Sequence, residues 1–376
     1  MGERKNQNAL SADEKQRFAS AVLALKNQVP SRMGLAGRYD DYVRMHLDSM
    51  ASTATQPGWA HMGPAFLPWY RYFLYSFERD LQAINAAVTV PYWDWTVDSS
   101  PQASIWDPDL MGGNGRDTDA RVMTGPFAFD NGKWIITVQD PSDASPGPDL
   151  RRRFPGVSAL PTALQVEAAL AEVPYYVAPW RAFDDLEAMQ DPARPSFCNR
   201  MEGWYGPGSI HNRVHLWVGG QLGDILGTME LMSSPNDPVF WLHHANIDRL
   251  WGEWQRRHPG EGYHPTGAGD EIGAPGHNLN DSMQLWGNIT PASVLDPQAL
   301  DYRYDTDPPR AAAAAAAALP PRARRPAPVS AAHEHAMPAA EGGMRMAPGE
   351  TMFRLSAEDL AELPEPPREA PAWWQP

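Results

Sequence analysis

His211 and His215 are separated by Asn212-Arg213-Val214. On a helix, residues at i and i+4 share a face, so both imidazoles would project side by side and reach one metal ion. Farther along, Pro238 suits the first turn of another helix. Its Phe240, His244, Ile247 and Trp251 recur at i, i+4, i+7 and i+11 on one apolar stripe. A histidine in such a stripe faces the core, where a bare imidazole is costly unless hydrogen-bonded or metal-bound. Three neutral imidazoles converging without a thiolate suit copper or zinc.

Other elements must position these groups. Ser11-Ala-Asp-Glu14 reads as a capping box opening a helix to about Lys26. A second helix is predicted from about Tyr39 to Met50, with Tyr39, Tyr42, Val43, His46 and Met50 on its apolar face, so His46 points inward. His61 lies in a loop ahead of Pro68, which fits a helix N1 position. Tyr70, Leu74, Phe77, Leu81 and Ile84 then form one stripe, which turns Tyr70 inward near the start of that helix. The stretch from Pro91 to about residue 190 is rich in Asp, Pro and Gly and reads as loops, as does the chain between Trp251 and Asp301.

Composition narrows the class. The 376 residues include 43% hydrophobic residues with 15 Trp and 11 Phe, enough for a large core. A formal charge of −15 argues against nucleic acid or an anionic membrane as partner. One cysteine, Cys198, permits neither an internal disulfide nor a thiolate cluster and is expected to be a small buried residue. The first residues lack the apolar core of a signal peptide and no run is long enough to span a bilayer, so a cytoplasmic protein is expected, with export on a signal-bearing partner as the alternative. Residues 306–330 hold Pro-Pro pairs and eight consecutive alanines, a linker by composition, ahead of a tail at 331–376.

Several motifs together resemble the tyrosinase family of binuclear type-3 copper proteins. They are His61-x-Gly-Pro-Ala-Phe-Leu-Pro-Trp69, Phe77-Glu-Arg79, Pro91-Tyr-Trp-Asp-Trp95, Glu202-Gly-Trp204, His211-Asn-Arg-Val-His215, Ser234-Pro-Asn-Asp-Pro238, His243-His244 and Tyr302-Arg-Tyr304. They span nearly all of residues 3–305, and the wording is nearest to bacterial, actinomycete-type tyrosinases. The resemblance implies a mainly α fold: a four-helix bundle around two coppers with long loops, here residues 1–305, followed by the Pro/Ala-rich linker and C-terminal tail. It implies oxidation of phenols, o-diphenols or o-aminophenols by O2. It assigns His211, His215 and His244 to the second copper, His243 to a place behind the ligands or in the pocket wall, and His46 and His61 to the first. It gives Glu202 and Asn212 the task of holding a water that deprotonates an incoming monophenol, although one extra residue separates Glu202 from His211. A small phenolic substrate, O2 and a caddie-type copper chaperone are the implied partners.

The family's third ligand to the first copper stands nine residues after His61, where this chain has Tyr70. Tyr70 either inactivates the site, serves as a phenolate ligand, leaves a single-copper protein, or is replaced by another donor such as a tail His or Met. The expectation is an oxidase impaired by Tyr70, with the first copper site empty or altered; the alternative is a catalytically silent or mononuclear copper-binding homologue. The tail's His333, His335, Met337, Met344 and Met346 offer copper-suited donors, and Trp373-Trp374 offer an apolar plug. His258, His264 and His277 are expected to be ordinary exposed histidines. Asp94 and Asp248 are expected to pair with arginines or cap helices, and Tyr302 and Tyr304 to close the core.

Overall fold

The computed structural model describes residues 2–50, 59–140, 147–180, 195–203 and 210–308. Most of the linker and the whole tail fall outside them. Among the described residues seven α-helices carry the fold: α1 Ala12–Asn27, α2 Arg38–Met50, α3 Phe66–Ile84, α4 Ala163–Ala171, α5 Phe197–Glu202, α6 His211–Gly219 and α7 Val239–Arg257. The mainly α expectation holds, with long irregular connections between α3 and α4 and after α7.

The expected capping box opens α1: Ser11 accepts from the Glu14 backbone N–H and Glu14 accepts from that of Ser11. In α3 the helix begins two residues before Pro68, so this proline sits within the first turn rather than at its first position. That costs nothing, because first-turn N–H groups have no intrahelical acceptor. The far end of its stripe differs from expectation, since Ile84 is exposed. The region read as loops contains α4, opened by a Thr162–Gln165 capping box.

Helices α2, α3 and α7 meet in an aromatic core. Phe77 stacks on Trp241 at 3.7 Å, Tyr42 meets both rings edge-on, and Tyr39 accepts a hydrogen bond from the Trp241 indole. Such burial and edge contacts supply the apolar stabilisation of the bundle.

Of four short strands among the described residues, β1 Gly2–Arg4, β2 Gln221–Leu222, β3 Ile225–Leu226 and β4 Tyr302–Tyr304, the first and the last pair in parallel and bring the ends of the described chain together. This pairing puts Arg4, fully buried, against Glu78 at 2.9 Å and Asp248 at 3.3 Å. Asp248 also holds Arg71 at 2.6 Å and accepts from the Tyr302 and Tyr304 hydroxyls. As expected, Asp248 pairs with arginines and the two tyrosines close the core, since each buried charge here has an opposite charge and hydrogen bonds. Asp94 faces Arg249 at 3.6 Å.

Candidate metal centre

The four helices α2, α3, α6 and α7 and the loop before α3 bring His46, His61, Tyr70, His211, His215, His243 and His244 into one cluster, all buried. Glu202, at the end of α5, and Asn212 join it. Burial removes water from every ring and pushes the imidazole pKa values down, to about 3 for His61 and His211. The rings are therefore neutral at ordinary pH, the form that ligates metals.

Hydrogen bonds set which nitrogen carries the ring hydrogen. His46 Nδ1 donates to the Met232 carbonyl at 2.9 Å and His215 Nδ1 to the Met229 carbonyl at 2.7 Å. His61 Nδ1 donates to Glu202 Oε1 at 2.8 Å, and His211 Nδ1 to Asn212 Oδ1 at 2.8 Å. Carbonyls and carboxylates only accept, so these four neutral rings all keep a lone pair on Nε2. Metal-ligating histidines are commonly oriented in this way. His243 is reversed: the Trp95 indole donates to its Nδ1 at 3.1 Å, so its hydrogen sits on Nε2. His244 has no hydrogen-bond partner on Nδ1 among the described residues; its ring lies flat on Tyr70 at 4.0 Å and 11°, with Phe240 at 4.2 Å.

His211, His215, His243 and His244 offer ring nitrogens that all lie within 4.8 Å of one another. The Nε2 atoms of His211 and His244 are 3.3 Å apart. Two nitrogens each about 2.0–2.1 Å from one ion, near the tetrahedral angle, lie about 3.3–3.4 Å apart, so a first-row metal ion fits here.

The other half does not fit an ion as it stands. Tyr70 Oη lies 2.7 Å from His46 Nε2 and 2.6 Å from His61 Nε2, hydrogen-bond lengths, and takes the point at which both lone pairs aim. One hydroxyl hydrogen serves two acceptors. Burial and the nearby Glu202 carboxylate hold the Tyr70 hydroxyl pKa well above its ordinary value, so the phenol keeps that hydrogen.

All eight sequence-predicted site residues are thus in contact with the cluster. Glu202 Oε1 is engaged by His61 and by the Met62 backbone N–H. The orienting carbonyls of Met229 and Met232 were not foreseen, because main-chain acceptors leave no mark in residue type. His277 corrects its expectation: it is buried, stacked beside Trp59, where Gly63 leaves room for its ring. His258 and His264 are half-buried, and Cys198 is buried as expected.

Inward-facing imidazole lone pairs carried by buried helices define a histidine-ligated metal protein. The family model "Common central domain of tyrosinase" matches residues 36–257. The chain is 45% identical to a tyrosinase of Streptomyces glaucescens over 81% of its length and 99% of that protein. It is 36% identical to grixazone synthase of Streptomyces griseus over 80% of its length and 98% of that protein. In fold it is similar to a mutant polyphenol oxidase from Thermothelomyces thermophila (TM-score 0.55, 22% identity, 81% of this chain and 88% of that one). The chain belongs to the tyrosinase family and is a tyrosinase-like copper oxidase. Among the described residues no helix is long and apolar enough to cross a membrane.

Proposed function

We propose that the chain oxidises phenols, o-diphenols or o-aminophenols to quinone-type products with O2, and that Tyr70 impairs it in this form. The observation that supports this is the buried set of neutral imidazoles with Nε2 lone pairs turned inward. His211, His215 and His244 would hold one copper. His46, His61 and Tyr70 are the groups for the other, once the Tyr70 hydroxyl yields the point it takes. When bound, copper supplies the electron transfer and the coordination of O2 and phenol that amino-acid side chains lack.

The chain's own groups orient and exclude water. Glu202 and Asn212 hold the rings of His61 and His211, and with them form the polar pair proposed to receive the proton of an incoming phenol. Phe66 and Phe240 pack against the rings and keep the cluster dry. The sequence resemblance supports a copper-delivering partner of the caddie type, and residues 331–376 are proposed to assist loading or cover the site.

One observation favours a second reading, a silent or single-copper homologue: Tyr70 Oη stands where both first-site imidazoles aim. Copper per chain and oxidation of catechol and o-aminophenol, measured with and without added copper, separate the two. Copper-dependent oxidation is expected, with most copper lost in His215→Ala and His244→Ala. Full copper content in either variant would refute these ligands, and copper-loaded protein inert to every substrate would establish the silent homologue.

A further inference from the structure

We propose that Tyr70 is an internal phenol of this oxidase and is itself oxidised, ortho to its hydroxyl, by O2 at the copper held on α6 and α7. The proposal rests on the function given above. A phenol-oxidising centre acts on a phenol presented to its copper, and here one is built in, stacked on His244, a group that would hold that copper. The Tyr70 ring is 1% exposed and lies parallel to His244 at 4.0 Å. Its hydroxyl is pinned between His46 and His61, and Phe66 closes its edge at 5.3 Å. It cannot swing away without losing both hydrogen bonds and the stack.

Other described tyrosines are placed differently. Tyr39 and Tyr175 donate to the main-chain carbonyls of Pro235 and Pro64, and Tyr302 and Tyr304 donate to Asp248. Tyr72 and Tyr75 are partly exposed. Tyr70 alone among the described tyrosines has ring contacts with the clustered histidines. It also has a place for its proton, since His61 Nε2 accepts from the hydroxyl side while Glu202 holds the same ring from Nδ1.

The reaction balances without an added reductant. A C–O bond forms at the ring carbon next to the one bearing the hydroxyl, and the O–O bond breaks. One oxygen enters the ring. The other leaves as water, carrying the displaced ring hydrogen and the phenol hydrogen. The ring loses four electrons, O2 gains four, and an o-quinone results.

The test loads the full chain with copper(I) under nitrogen, admits air, and maps the mass of each tyrosine-containing peptide. The Tyr70 peptide should gain about 14 Da, or about 16 Da where the quinone has been reduced to the catechol, in most copper-loaded chains. Metal-free protein in air should show no gain, nor should Tyr70→Phe, which keeps the ring and its packing. An unchanged Tyr70 in chains that hold copper overturns the proposal, as does an equal gain at Tyr72 and Tyr75. Copper-loaded chains that oxidise catechol yet keep Tyr70 intact overturn this proposal alone; chains that take up no copper overturn the proposed function with it.

Discussion

Replacing Tyr70 with histidine tests how one side chain divides the cluster into a half that fits an ion and a half that does not. Tyr70 Oη is 2.7 Å from His46 Nε2 and 2.6 Å from His61 Nε2. A phenol oxygen reaches about 2 Å farther from Cα than an imidazole Nε2, close to one metal–nitrogen bond. In Tyr70→His the new Nε2 therefore withdraws by about one bond length from the vacated point. An ion placed there is near bonding distance of the new ring, and His46 and His61 need only close in by about 0.6 Å to reach 2.0–2.1 Å. Their Nδ1 anchors on Met232 and Glu202 already hold the right tautomer. Loss of an orienting contact alone typically costs about 10–100-fold in metal affinity, so gaining a whole ligand should tighten the first site by about 100-fold or more, about 2.7 kcal/mol. Equilibrium dialysis with copper analysis should show the variant approaching two ions per chain where the parent holds fewer, with faster catechol oxidation. Two coppers in the parent, with catechol turnover that the histidine does not improve, would mean that Tyr70 already works as a ligand.

Three further outcomes are expected. Asp248→Ala leaves Arg4 and Arg71 buried without their shared carboxylate, so denaturant unfolding should show a loss of about 3–5 kcal/mol; a loss below about 1 kcal/mol would deny that the network holds β1 and β4 to the bundle. Glu14, held down to about 2 by the Lys5 ammonium and the Ser11 backbone N–H, contributes stability that is present above its ordinary 4.5 and is lost as pH falls toward 2. Glu14→Gln should flatten the acid side of the stability profile in that window, and an unchanged slope would remove this carboxylate from the account. A chain ending at Asp305 should differ from the full chain in copper uptake rate or substrate access, and identical kinetics in both would make the tail an appendage.

Local signals carried much of this protein. The His211/His215 spacing and the stripe through Phe240 and His244 placed three imidazoles inward because helical periodicity alone decides which side chains share a face. The Ser11–Glu14 box opened α1 for an equally local reason, and the Tyr70 departure was visible in residue type. Four things were settled only by the tertiary structure. The β1–β4 pairing joins segments some 300 residues apart, which no short-range pattern encodes. The tautomers of His46 and His215 depend on the carbonyls of Met232 and Met229, main-chain atoms that every residue possesses. His277 reads as polar loop yet is buried, since Gly63 and Trp59 come from a distant segment to enclose it. The sequence showed a phenol in place of an imidazole. That its oxygen lies between two lone pairs while its ring covers His244 follows from how α2, α3 and α7 pack, because packing sets distances and periodicity sets only directions.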